Sequence, residues 1–261
     1  MQLNKDIQEK QLETAIAISH SVRADGRMGY PTEDEHKEII RLTGIESEPE
    51  DWFVCDIYMS DNLVDRDYQR WHPNVLVQMG TQYHGRQLSI DHEFSSRVVQ
   101  GFTMKPVLRV DPSPSVELLN AGGFLDWNQR VCDRENHQSL RVLGVVKTGS
   151  EAHQKIIERR YNKVSTGTRL SGIRRICPNC SEEKGREVDF MERDKHGEYV
   201  CPHLIPNQVA RWMADMGLFE DNEKLADYVT LDGVNTSLEL SFVLEGALPA
   251  ARIMRGNSTI I

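Results

Sequence analysis

The spacing of apolar positions changes near residue 51. Before it, apolar residues fall at helical intervals: Leu12, Ile16 and Ile18 sit among polar neighbours and predict a helix over residues 1–22. Ala24-Asp25-Gly26 reads as a turn. Thr32 and Glu35 match a capping box, Ile39, Ile40 and Leu42 supply an apolar face, and Gly44 provides the stop. The acidic stretch Glu46 to Asp51 reads as a linker, so residues 1–50 are expected to be a helical N-terminal appendage packed loosely on the rest of the chain.

From residue 51 the texture becomes short β-like runs punctuated by Gly, Pro and Asp. They are Trp52–Tyr58, Gln87–Ile90, Val98–Val110, Val142–Lys147, Val164–Leu170 and Ser237–Leu244. Two helices interrupt them. One spans Ser150–Arg160, with Ala152, Ile156 and Ile157 at helical spacing. The other spans residues 206–216, with Pro206 in its first turn and Val209, Trp212 and Met213 on one face. There are no internal repeats and no low-complexity tract.

Composition narrows the function classes. At 261 residues and 39% hydrophobic content, the chain can bury a substantial core. The net charge of −9 argues against a nucleic-acid binder driven by phosphate neutralisation, and Arg169, Arg174 and Arg175 read as ordinary surface. No run of eighteen apolar residues predicts a membrane span, and the N-terminus lacks an apolar leader core, so a cytoplasmic protein is expected. Five cysteines are present, an odd number, and three of them crowd into residues 177–201. Cys55 and Cys132 stand alone in strand-like contexts. This is a metal pattern, not a disulfide framework.

Cys177-Pro-Asn-Cys180 is a CxxC knuckle, and Cys201-Pro-His203 follows. Two close pairs of thiolate and imidazole ligands suit tetrahedral zinc. The second pair has only one intervening residue, and His196 is an alternative fourth ligand. With no open coordination position implied, the zinc is expected to be structural. It would staple a polar loop, SEEKGREVDFMERDKHGE, within an insertion spanning 173–205.

Three further segments carry candidate chemistry. His92 follows a short apolar strand in QLSIDHEFSS, Ser165 lies in a short strand in YNKVSTGTRL, and Glu239 lies between two leucines in SLELSFVLEG. Strand alternation turns Glu239 away from Leu238 and Leu240, where a carboxylate either meets water or has a specific partner. By residue type alone each has an ordinary structural explanation. Their order and surroundings set them apart. LSIDH, KVSTG and ELSFVLEGALPAARI, with NLVDRDYQRWHPNVL, VVQGFTMKPVLRV and RVLGVVKTGSEAHQKIIERRYN around them, resemble the tailed-phage prohead maturation serine proteases, distant relatives of the herpesvirus assemblins. The likeness covers residues 52–172 and 235–254.

The resemblance implies an α+β protease domain over residues 51–261. Its core would be a mainly antiparallel β-barrel surrounded by helices, interrupted by the zinc-ribbon-like insertion. It implies His92 as general base, Ser165 as nucleophile and Glu239 as the group orienting His92. Thr166 departs from the aliphatic residue usual after the serine. Backbone N–H groups near Ser165 and Thr166 are the natural oxyanion donors, with Arg169 as a loose analogue of assemblin arginines. Substrates would be capsid and scaffold proteins inside an assembling prohead in the host cytoplasm, with no nucleic acid or membrane as partner and a homo-oligomer as a further option. The alternative is a non-catalytic capsid-assembly or scaffold protein that keeps the fold and uses the zinc-ribbon module for interaction. A zinc hydrolase built on His84, Asp91, His92 and Glu93 is disfavoured because their spacing is not HExxH.

Overall fold

The computed structural model describes residues 27–90, 100–216, 224–243 and 251–253. The helix expected over residues 1–22 lies outside them. Within the described residues, nine strands form one sheet: β1 (Met28–Gly29), β2 (Trp52–Asp61), β3 (Gln69–Trp71), β4 (Gln87–Ile90), β5 (Gly101–Asp111), β6 (His137–Lys147), β7 (Lys163–Ile176), β8 (Val229–Val243) and β9 (Arg252–Ile253). Among the described residues there are seven α-helices: α1 (Glu33–Thr43), α2 (Pro73–Gln82), α3 (Val116–Leu119), α4 (Leu125–Glu135), α5 (Glu151–Ile157), α6 (Pro178–Lys184) and α7 (Gln208–Asp215).

The sheet runs β1-β2-β6-β5-β4-β8-β7-β9, with β3 attached to β8. Pairing is antiparallel except where β3 and β4 run parallel to β8. The α+β class and mainly antiparallel sheet are as expected. The closed barrel is not established: among the described residues, β2 and β7 are joined by strand pairing only through the two-residue β9, which pairs with both. Helix α2 also takes a place that a further strand would need. Between the stretches of β8 held by β3 and by β4, its open edge is met by α2 side chains. Gln78 Oε1 accepts from the Asn235 amide (2.7 Å) and Gln78 Nε2 donates to the Gly233 carbonyl (3.0 Å). Gln82 Oε1 accepts from the Ser237 amide (2.8 Å) and Gln82 Nε2 donates to the Asn235 carbonyl (2.9 Å). Two glutamines four apart on one helix face thus satisfy alternate backbone groups, as a strand would.

β2 shows why the sheet buries both faces. Phe53, Cys55, Ile57 and Met59 alternate into the main core with Val75, Leu76 and Met79 of α2, Leu88, Leu140, Val142, Val164, Leu240 and Phe242. Trp52 and Val54 face the other way, against Ile39 of α1, Met104, Leu143 and Val145. Each such fully buried aliphatic side chain gains roughly 1.5–3 kcal/mol of transfer free energy.

α1 begins and ends as expected: Thr32 and Glu35 form a reciprocal capping box, and Gly44 closes the helix at φ 68°. The expected loose packing of residues 1–50 does not hold for their described part. Ile39 is fully buried, β1 pairs with β2, and Arg27 donates its amide to Asp56 (3.0 Å) and its guanidinium to Glu35 (2.6 Å).

Other departures have local causes. α2 falls in a segment carrying no helical expectation, yet His72 caps it through Nδ1 (3.2 Å from the Asn74 amide) and Pro73 occupies its first turn. Cys132, expected in a strand, lies in α4. β7 continues to Ile176, so the insertion boundary at 173 falls inside a paired strand. α7 starts after the Asn207 cap, leaving Pro206 outside it. Its expected apolar face is not the buried one: Val209 and Trp212 are exposed. α7 is held instead by Arg211, whose guanidinium lies 5.5 Å from the Tyr68 ring centroid and 5.3 Å from that of Trp127 and donates to the Asp227 carbonyl (2.9 Å). No described helix is long and apolar enough to cross a membrane.

Candidate active site and metal centre

The LELSF pattern of β8 sends Leu240 and Phe242 into the main core and Glu239 and Ser241 to the opposite face. That face is also buried. Ser89 of β4 stands beside Ser241 on one side, and Ser165 of β7 stands beside Ser241 on the other. Register partners share a face, so three serines form a row across three adjacent strands, spaced at roughly 4.5–5.5 Å between Cα atoms. Ser89 and Ser241 are buried and Ser165 is half-buried.

Glu239 lies one pleat along β8 from Ser241 and is fully buried. Its Oε2 accepts from Ser89 Oγ (2.6 Å) and from Ser241 Oγ, and the two hydroxyls are 2.8 Å apart. Glu239 therefore has specific partners, one of the two outcomes that alternation allowed. Opposite it on β7 is Gly167. A Cβ there would collide with Glu239 Oε1, so only glycine leaves room for the carboxylate. Tyr83, at the end of α2, donates its hydroxyl to the Glu239 carbonyl (2.9 Å), extending the edge contacts made by Gln78 and Gln82. Immediately beyond, β7 and β8 shift register between Gly167 and Thr168, which leaves Leu238 as the extra residue and exposes it.

Of the three residues expected to act together, Ser165 and Glu239 lie on neighbouring strands and on one face of the sheet. His92 lies outside the described residues. Thr166 pairs with Leu240, and Arg169 is exposed beyond the register shift, opposite Thr236. Ser89, Ser241, Gly167 and Tyr83 were not anticipated. The alternation Glu239-Leu240-Ser241 was the available signal, because polar residues at every second position of a buried strand must find partners.

The second cluster begins where β7 ends. Cys177 caps α6, which carries Cys180 on its first turn, and the chain returns through Cys201 and His203. Cys180 Sγ lies 3.6 Å from Cys201 Sγ. His203 Nδ1 lies 3.6, 3.2 and 3.9 Å from the sulfurs of Cys177, Cys180 and Cys201. Metal–sulfur bonds of ~2.3 Å and metal–nitrogen bonds of ~2.0–2.1 Å in a tetrahedron place ligand atoms about 3.5–3.8 Å apart. The four side chains fit that geometry and could hold one metal ion. The expected Cys177, Cys180, Cys201 and His203 set is thus together, whereas His196 sits outside it, exposed in a turn closed by Asp194.

Burial raises the Cys177 thiol and takes Cys180 up to about 11. A bound cation works against this by favouring the thiolates. The loop is less bare than its composition implies. Val188 and Phe190 pack with the cysteines, Ala226 and Val229 into a small core. Glu187 ties the module to the sheet through His72 (3.0 Å) and Arg174 (2.8 Å).

No protein-family description, no curated protein and no solved structure matches this chain.

Proposed function

We propose that the protein is a serine endopeptidase of the prohead-maturation kind, acting on capsid and scaffold proteins as a phage head assembles. In this scheme Ser165 is the nucleophile, His92 the general base and Glu239 the group that orients it. The support is one arrangement: Ser165 shares a sheet face with a buried Glu239 held by two hydroxyls, and β4, which supplies one of them, leads in sequence toward His92. A serine hydroxyl is a poor nucleophile until a base takes its proton, and neutral imidazole can do so near pH 7. A buried carboxylate would fix the tautomer of that base and stabilise the imidazolium as it forms. Amides around Ser165 and Thr166 would supply oxyanion donors. The ion in the Cys177–His203 cluster is proposed to be zinc in a structural role, since four protein ligands leave no open position.

Labelling with a fluorophosphonate tests the nucleophile. The Ser165 Oγ–P bond forms, fluoride leaves and the proton passes to the base. Peptide mapping is expected to find the adduct on Ser165 and to find none after Ser165→Ala. Labelling at another serine alone, or none in the wild-type chain, would overturn the assignment.

A further inference from the structure

We propose that Ser89 and Ser241 are positioning residues: their hydroxyls hold the Glu239 carboxylate in one orientation and so set the reactivity of Ser165. This rests on the assignment of Ser165 as nucleophile and Glu239 as orienting group, and it adds two residues to that site.

Four observations lead to it. Both hydroxyls converge on the same carboxylate oxygen, Oε2, and they lie within hydrogen-bond distance of each other. The other oxygen, Oε1, lies against Gly167, where the absence of a side chain leaves space for it. All three polar side chains are buried, so water does not replace a lost donor at low cost. The backbone beneath is fixed independently: Tyr83 holds the Glu239 carbonyl, and the Leu88–Leu240 and Ser89–Ser241 register pairs lock β4 to β8. A glutamate side chain has three rotatable bonds. Two convergent donors on a rigid sheet reduce that freedom to one arrangement, as a group that orients a base requires.

Ser241 has a second place in the geometry. It is the register partner of both Ser89 and Ser165, so it is at once half of the clamp and the direct neighbour of the proposed nucleophile. Substituting it should therefore slow Ser165 at least as much as substituting Ser89.

The test uses the full chain, with the second-order rate of fluorophosphonate labelling at Ser165 followed from pH 5 to 9. Ser89→Ala and Ser241→Ala are expected to label roughly tenfold to a hundredfold more slowly, with a changed pH profile. Ser89→Cys, close in shape but a weaker donor, should fall between serine and alanine. A purely structural role would lower the melting temperature without changing the pH profile of the folded fraction. Wild-type rates and profile in both alanine variants would overturn the proposal.

Melting temperatures of Ser89→Ala, Glu239→Gln and the double variant give a readout that does not need activity. Ser89→Ala should cost several degrees in the wild-type background and clearly less beside Glu239→Gln. If wild-type Ser165 does not label, the protease assignment fails and the proposed control of Ser165 reactivity falls with it. The thermal cycle then reports on the hydroxyl–carboxylate clamp alone. Additive losses in that cycle would overturn the clamp even if Ser165 does label. Should Ser89→Ala not fold, Ser89→Cys and Ser241→Ala carry the same comparison.

Discussion

The Ser165–Glu239 row and the Cys177–His203 cluster lie at opposite ends of one ribbon, the paired strands β7 and β8. Ile176 lies eleven positions along β7 from Ser165, roughly 30 Å or more of extended chain. At one end the geometry is made by register. Ser89, Ser165 and Glu239 come from three strands, and none of them has another within fifty positions in sequence. At the other end the geometry is made locally: four ligands within 27 residues, two on one helical turn and two at alternate positions. A site written into a sheet inherits the stability of the sheet. A site made by a short polar segment needs a further source of order, and a metal ion is the natural one.

The largest expected effect comes from taking that source away. Chelation of the metal, or Cys180→Ser, should open residues 177–205 to limited proteolysis while the β2–β6–β5 part of the sheet remains protected. Structural zinc in small modules contributes on the order of 10–16 kcal/mol of apparent binding free energy at neutral pH, so the loss should be complete for the module. Equal protection with and without chelator would erase the distinction between the two ends.

A smaller effect sharpens the other side of the comparison. Gly167→Ala introduces a Cβ where Glu239 Oε1 now lies. It should lower stability by about 1–3 kcal/mol in denaturant unfolding and slow Ser165 labelling, while leaving metal content unchanged. A loss of metal in this variant would mean that the ribbon transmits a disturbance from one end to the other.

The smallest effect concerns Asp65, away from both sites. Its Oδ1 accepts from the Asp67 and Gln69 amides, and burial pushes its carboxyl up to about 7. A carboxyl raised above its unfolded value of ~3.9 adds stability that is fully present below pH ~4 and is lost as pH rises through about 7. Asp65→Asn keeps the acceptor and cannot ionise. It should match the wild type near pH 4 and be the more stable of the two at pH 8, measured by urea unfolding.

Much of the metal cluster was readable because its signal is local. Cys177-x-x-Cys180 and Cys201-x-His203 needed no knowledge of the fold, and only the choice between His203 and His196 awaited the structure. The capping box at Thr32 and Glu35 and the stop at Gly44 were readable for the same reason. The supporting residues of the other site were not. Ser89 and Ser241 become partners of Glu239 only once β4 is known to run parallel to β8, and Gly167 matters only through its register with Glu239. α2 was missed because His72 and Pro73 start it without an acidic or hydroxyl cap, and because its glutamines serve a strand edge. The long reach of β7 and β8 was hidden by the charged and glycine positions Arg169 to Arg175, which are largely exposed and carry no alternating apolar pattern.

The central claim is peptide-bond cleavage by Ser165. The most direct measurement is mass spectrometry of the full chain incubated with phage capsid and scaffold proteins, the substrates proposed for it, beside the Ser165→Ala variant. Defined new termini in those proteins, or in the chain itself, are predicted with the wild type and should be absent with Ser165→Ala. Cleavage by Ser165→Ala at the wild-type rate, or intact substrates with both proteins, would contradict the account.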